Sequence, residues 1–255
     1  MSKVIAVANQ KGGVGKTTTT VNLAASLVAL GYRVLLIDLD AQGNATMGCG
    51  VDKHLAADSA YEVLTGKSFL GDAIVNVDPD GLDLLPGNAD LTAVQVELID
   101  RIGRERVLAE ALVSCRDDYH FILIDCPPAL NILTLNALVA ADSVLIPMQC
   151  EYYALEGLSD LMGTLENVQQ MLNPELQIEG LVRTMHDARS RLASDVTAQL
   201  VQHFGDQLLE TIIPRNVRLA EAPSHGMSIV RYDRGSKGAQ AYMALAEEIV
   251  SRNQF

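Results

Sequence analysis

The sequence predicts an α/β fold built as one doubly wound, mostly parallel sheet with helices on both faces. Three observations carry that prediction. Short β-branched, apolar runs alternate with longer segments of helical period along the whole chain. Several of the runs are apolar at every position, as strands buried on both faces are. The spacing between runs is that of strand–helix–strand units rather than of hairpins.

In chain order, Val4–Ala8 reads as the first strand and runs into a glycine-rich loop. Residues 17–30 then carry Val21, Ala24, Ala25 and Val28 on one helical face, and Gly31 ends the helix. Arg33–Asp38 is the second strand, with Val34, Leu35, Leu36 and Ile37 unbroken by a polar residue. Leu82–Leu85, Phe121–Ile124, Ser143–Ile146, Ile178–Val182 and Glu210–Ile213 repeat the pattern. Helical stretches near 92–115, 155–172, 191–204 and 239–251 separate most of these strands. No internal repeat or linker-like stretch interrupts the 255 residues, which read as a single domain over 1–255.

Composition removes several function classes. A chain with 49% hydrophobic and 20% charged residues is neither disordered nor fibrous. With 4% aromatics and no Trp, a stacking surface for single-stranded nucleic acid is not expected. Cys49, Cys115, Cys126 and Cys150 form no C-x-x-C pair and sit among apolar residues, which points away from zinc and disulfides and toward a reducing compartment. No basic leader precedes the first strand and no apolar run approaches a membrane span, so a cytoplasmic protein is expected. The net charge of −13 is uneven: residues 183–255 hold nine bases, mostly arginine, against eight acids. Ordinary surface scatter accounts for this as well as a local basic face does.

The loop Asn9-Gln10-Lys11-Gly12-Gly13-Val14-Gly15-Lys16-Thr17-Thr18 lies between the first strand and the first helix. Glycines there let backbone N–H groups turn inward, and the helix N-terminus adds its positive dipole end, which together make a phosphate cradle. Lys16 is placed to reach β/γ-phosphates and the Thr17 hydroxyl to ligate Mg²⁺. The strict G-x-x-x-x-G-K-[ST] pattern fails at one position, because Gln10 stands where the first glycine belongs. An extra lysine, Lys11, opens the loop instead. A plain glycine-rich turn does not explain two lysines framing three glycines.

Lys11–Thr18 resembles the deviant Walker A box of the ParA/MinD group of P-loop ATPases. The resemblance implies an ATP-sandwich homodimer in which Lys11 reaches the partner's nucleotide, with Gly12, Gly13, Val14, Gly15, Lys16, Thr17 and Thr18 cradling the chain's own.

Two acids, Asp38 and Asp40, follow the second strand at the edge where an open α/β sheet forms its ligand crevice. Asp38 is placed for a Mg²⁺ shell and Asp40 to orient an attacking water. Asp125 follows four apolar residues, the Walker B arrangement, and faces Mg²⁺ through a bound water. Both segments are similar to the ParA/Soj pattern, which often has Pro where this chain has Ala41.

Longer strings extend the resemblance over nearly the whole chain. Glu151–Leu158 and Ile213–Ser224 look like the chromosomal ParA (Soj) subgroup. The resemblance implies that Pro214 and Asn216 contact adenine with Met185 beside them, a role that the donor and acceptor of an Asn side chain suit. It also implies that Arg189 and Arg218 bind double-stranded DNA without sequence preference, by neutralising phosphates. The family often has Lys where this chain has Met227, so the resemblance implies either weaker binding or more of it carried by Arg189, Arg218, Arg231 and Arg234. The implied partner is a ParB-like protein that stimulates hydrolysis of a nucleoid-associated dimer. The MinD type, which cycles on membranes, is the alternative. Its basic amphipathic tail is missing, because Glu247, Glu248 and a late Arg252 carry the charge of 238–255. An iron–sulfur carrier of the superfamily needs paired cysteines, and Cys126 stands alone. The operator-reading N-terminal region of plasmid ParA proteins is not expected where the first strand begins at residue 3.

Overall fold

The computed structural model describes residues 2–77, 81–152 and 154–254. The first half of the chain forms β1 (Lys3–Val7), α1 (Lys16–Ala29), β2 (Val34–Asp38), α2 (Asn44–Gly48), α3 (Ala60–Thr65), α4 (Leu70–Ala73), β3 (Val75–Val77) and β4 (Leu82–Leu85). Short helices α5 (Val94–Glu97) and α6 (Val107–Leu112) lead to β5 (Phe121–Asp125), α7 (Ile132–Ala140) and β6 (Ser143–Gln149). Then come α8 (Ala154–Met171), β7 (Gln177–His186), α9 (Arg191–Phe204), β8 (Leu208–Pro214), α10 (Val217–Glu221), α11 (Ile229–Tyr232) and α12 (Lys237–Arg252).

Among the described residues eight strands form one sheet in the order β3-β4-β2-β5-β1-β6-β7-β8. Every pairing is parallel except β3 with β4 at one edge. The expected doubly wound α/β sheet is therefore present, with an antiparallel edge strand added. β1 sits between β5 and β6, where the chain reverses its direction of travel across the sheet. Such a switch point opens a crevice beyond the carboxyl ends of the strands.

Side-chain alternation along each central strand makes the two layers. Val4 and Ala6 of β1, Leu35 and Ile37 of β2, and Ile122 and Ile124 of β5 are buried under α3 and α5 to α9. Ile5, Val7, Val34, Leu36, Phe121 and Leu123 are buried on the other face, under α1 and α12. Burial on both faces is why these runs contain no polar residue. α12 buries Ala239, Tyr242, Leu245, Ala246 and Ile249, so its apolar stripe is spent on the core. No helix among the described residues is long and apolar enough to cross a membrane.

The continuous helix expected near 92–115 does not form. A 3₁₀ turn over Ala89–Ala93 and α5 are followed by an irregular stretch before α6. Gly103 takes a left-handed φ of 71° there. The Asn136 side chain of α7 accepts from Leu108 N at 3.1 Å and donates to Arg104 O at 2.8 Å. Tertiary hydrogen bonds thus replace the helical ladder that periodicity suggests. Between β5 and β6 the structure adds a helix that the periodicity does not predict. It is α7, capped by Asn131, whose side chain accepts from Leu133 N and Thr134 N. The strand expected at Ile178–Val182 extends to His186, which carries Thr184 and Met185 to the crevice.

Candidate active site

The loop after β1 is fastened to the sheet before it turns. Asn9 Nδ2 donates to Pro147 O at 2.8 Å, and Asn9 Oδ1 accepts from Lys11 N at 2.9 Å. Gln10, which stands where a glycine was expected, leans out and donates to Thr164 Oγ1 of α8 at 3.2 Å. Gly12 and Gly13 are exposed, with nothing near the position a Cβ would take, so the loop's upper side is open. Gly15, in the left-handed region at φ 87°, precedes α1 without a side-chain cap. The first N–H groups of a 14-residue helix therefore face the crevice unsatisfied by a cap.

Lys16 is buried, and its Nζ donates to Lys11 O at 3.2 Å across the loop. Burial lowers its pKa, against the pull of Asp125 and Asp40. Lys11 points the other way and pairs with Glu151 at 2.6 Å on the surface. The two lysines thus diverge. Of the Soj-like string beside Glu151, Tyr153 lies outside the described residues.

Asp38 and Asp125 occupy paired positions on the neighbouring strands β2 and β5, so both carboxylates emerge at one level. Both side chains are fully buried. Asp125 Oδ2 accepts from Thr17 Oγ1 at 2.7 Å, and Oδ1 lies 3.0 Å from Thr20 Oγ1. Asp38 Oδ2 accepts from Thr46 N at 2.8 Å and Thr46 Oγ1 at 2.7 Å, while Oδ1 accepts from Asp40 N at 3.1 Å. Burial raises the pKa of Asp125 well above the ordinary range, with repulsion from Asp38 adding to it and the two threonine hydroxyls opposing it. Asp38 is raised by burial too, against the hydrogen bonds from Thr46 and Asp40. Asp40 is half-buried just beyond, its Oδ1 accepting from Gln42 N at 3.0 Å.

Among the described residues no cluster of three His, Cys, Asp or Glu side chains could hold a metal alone. Thr17, Asp38 and Asp125 supply instead one hydroxyl and two carboxylates. An all-oxygen set that leaves positions for water and substrate oxygens suits magnesium, and a cation would relieve the repulsion between the two acids. Cys126, next in the chain, is buried and its thiol pKa is pushed up, as for a small apolar residue.

A cavity of about 190 Å³ opens beside Gly15 and Thr18 and is lined by Met185, Pro214, Asn216, Leu219 and Tyr242. It brings the three expected base-contact residues together next to the loop. The Asn216 side-chain oxygen caps α10 by accepting from Leu219 N at 3.3 Å. A larger hollow of about 620 Å³ between α3 and α6 contains none of these residues.

The remaining expected residues follow the carboxyl ends of β7 and β8. Arg189 is highly exposed and grips Asp187 with two 3.0 Å hydrogen bonds, which holds that carboxyl down at about 2. Arg218 pairs with Glu221 at 2.8 Å and Asp233 at 3.5 Å, and Arg231 and Arg234 are exposed nearby in the chain.

Comparison with known proteins resolves the family. A family model described as an AAA domain matches residues 2–178. The chromosome-partitioning ATPase Soj of Thermus thermophilus is 53% identical over 252 residues, 98% of this chain and 96% of the relative. The sporulation initiation inhibitor protein Soj of Bacillus subtilis is 49% identical over 251 residues, 98% of this chain and 99% of the relative. The chain belongs to the ParA/Soj family of chromosome-partitioning ATPases. Among solved structures, cobyrinic acid a,c-diamide synthase from Mycobacterium smegmatis with bound ADP and magnesium superposes with a TM-score of 0.87. It shares 39% identity and covers 100% of this chain and 96% of its own. The cell division ATPase MinD of Pyrococcus furiosus gives 0.81 at 30% identity, covering 99% and 100%.

Several residues that shape this ParA/Soj site carry no motif. Thr46 links Asp38 to the loop after β4, since its Oγ1 also accepts from Gly87 N at 2.9 Å. A Cβ at Gly87 would lie 2.5 Å from Asp38 O, so only glycine lets that loop close over the acid. The dipeptide Pro86-Gly87 signals a turn in the sequence but not this contact.

The raised acids give a stability prediction with a definite sign. A carboxyl whose folded pKa is raised favours folding while protonated, and that contribution disappears as pH rises through the raised value. Asp125→Asn removes one such group. The thermal midpoint of the nucleotide-free variant, relative to the parent, should therefore climb between about pH 4 and pH 8. Scanning calorimetry without Mg²⁺ checks this, and a pH-independent difference would remove the buried-acid account.

Proposed function

We propose that the protein is a Mg²⁺-dependent DNA-segregation ATPase whose ATP-bound homodimer holds nonspecific DNA and is released by a ParB-like partner. The observation that carries the nucleotide reading is the 2.7 Å hydrogen bond from Thr17 to Asp125. It joins the first turn of α1 to the acid of β5, the two places from which a P-loop protein takes its magnesium. In this reading Lys11 to Thr18 bind the phosphates, and Met185, Pro214 and Asn216 bind the base. Thr17, Asp38 and Asp125 are the residues that would hold magnesium, and the ion would supply charge neutralisation to the transferring phosphoryl group.

This chain's own groups then do the positioning. The backbone of Gly12 to Gly15 and the dipole end of α1 hold the phosphates in place. Lys16, desolvated and facing inward, supports developing charge on its own nucleotide. Asp40, on the short segment between the buried Asp38 and α2, orients the attacking water. Lys11, directed outward to Glu151, is the lysine free to leave its own loop for the partner's phosphates. The chain also has −13 of net charge, which repels a polyanion. Screening confines each charge to roughly a 10 Å Debye length, so arginines on one face can still bind phosphate. The ion pairs of Arg189 and Arg218 lie at the surface, where such pairs hold only weakly. Dimerisation doubles the patch, which makes binding depend on ATP. A cytoplasmic, nucleoid-associated location follows from this cycle. The MinD-like membrane reading is not favoured, because α12 spends its apolar face on the core.

Two sets of variants test the proposal. Lys16→Ala should weaken ATP binding by about 10²-fold or more, since charge-assisted hydrogen bonds are worth ~1.5–3 kcal/mol each. Lys11→Ala should keep nucleotide but lose the ATP-dependent dimer. Sedimentation with a slowly hydrolysed ATP analogue reads both, and a Lys11→Ala protein that still dimerises contradicts the role across the dimer. Replacing Arg189 and Arg218 together with Glu should remove DNA binding and leave ATP-driven dimerisation intact. Gel shifts on two unrelated duplexes across a salt series check this, because phosphate contacts set the salt slope. An unchanged slope would clear both arginines.

A further inference from the structure

The base cavity and the phosphate loop come from distant parts of the chain, yet two side chains outside the family motifs tie them together. Thr184, near the end of β7, is buried, and its hydroxyl donates to Val14 O of the loop at 2.7 Å. The same oxygen lies 3.1 Å from Met148 O on β6. Gln149, the last residue of β6, places its Nε2 3.3 Å from Gly13 O and 2.8 Å from the Sδ of Met185. One amide thus touches the loop on one side and the base cavity on the other.

The neighbouring backbone is consistent with a constrained junction. Met185 has φ 48°, and apart from Gln254 it is the one non-glycine residue in the left-handed region among the described residues. A side chain with a Cβ rarely adopts that region, so surrounding contacts must hold it. A Cβ at Gly15 would lie 3.6 Å from Met185 Cε and 3.8 Å from Thr184 Cβ, so the end of β7 stands directly over the loop. Each half of a nucleotide would meet one half of this junction: the base would meet Met185 and the phosphates would meet the loop. When two binding subsites are held at the correct spacing, a ligand spanning both gains over either fragment, because the second contact is intramolecular.

We propose that Thr184 and Gln149 are positioning residues that hold the phosphate loop and the base cavity at the spacing an adenine nucleotide requires. The inference rests on the nucleotide reading of the site given above. Removing the Thr184 hydroxyl leaves Val14 O unpaired and frees the loop to drift relative to Met185. A nucleotide then loses affinity, while a ligand that touches only the loop does not.

The test compares ATP with inorganic tripolyphosphate, each displacing a fluorescent ATP analogue from the full-length protein with Mg²⁺ present. Thr184→Val, which keeps the shape and removes the hydroxyl, should raise the Kd of ATP about tenfold, the scale set by one unpaired buried carbonyl. The Kd of tripolyphosphate should change less than twofold, and kcat at saturating ATP should stay within twofold. Thr184→Ser should restore ATP affinity. Gln149→Leu, at a half-buried position where folding is not at stake, should show a smaller loss with the same preference for ATP. Equal losses for ATP and tripolyphosphate, or no loss for either, would overturn the proposal. Lys16→Ala in the same assay separates the two readings: if it binds ATP as tightly as the parent, the nucleotide site itself is misassigned, whatever the Thr184 variants do.

Discussion

Asp38 and Asp125 stand side by side on neighbouring parallel strands, and neither reaches water. Two carboxylates in that position cannot both ionise cheaply, because burial removes hydration and each raises the cost of charging the other. The surrounding structure is arranged around this cost. α1 contributes Thr17 and Thr20 to Asp125, and α2 contributes the N–H and hydroxyl of Thr46 to Asp38. The loop after β4 comes within reach of Asp38 only because residue 87 has no side chain. Lys16 lies inside the same enclosure. A central sheet that pairs β2 with β5 and β5 with β1 therefore brings the phosphate loop and both acids to one edge.

This constraint also connects the site to the segments that would respond to it. Asp40 hangs from Asp38 by a backbone hydrogen bond, two residues along the same strand exit. α2 follows directly and packs against α1 and the turn before α11. Asp38, Asp40 and α2 thus form a continuous run of contacts from the buried acids to the turn that follows α10. Buried polar networks of this kind are stable only when complete, which makes them suited to distinguishing an occupied site from a vacant one.

Much of this was legible in the sequence, for identifiable reasons. Val34–Ile37 and Phe121–Ile124 are apolar at every position because both faces are covered, so fold class and strand positions could be read directly. The lysine–glycine loop and the acids at strand ends belong to short, continuous motifs whose chemistry constrains residue type. Helix 92–115 failed for the opposite reason: its period is helical, but Asn136 from a distant helix takes the backbone groups that would continue it. Thr46, Gly87, Gln149 and Thr184 were invisible because each acts through contacts that exist only once separate strands and loops are packed together. A threonine or a glycine at such a position resembles any other until the strands are paired.

In the proposed function the buried acid of β5, reached by Thr17, couples magnesium to nucleotide binding. The most direct measurement is ATP affinity as a function of free Mg²⁺, by calorimetric titration, in the parent and in Asp125→Asn. The parent should bind ATP more tightly as Mg²⁺ rises, and the variant should lose most of that response. A variant whose ATP affinity follows Mg²⁺ as the parent's does would contradict that coupling.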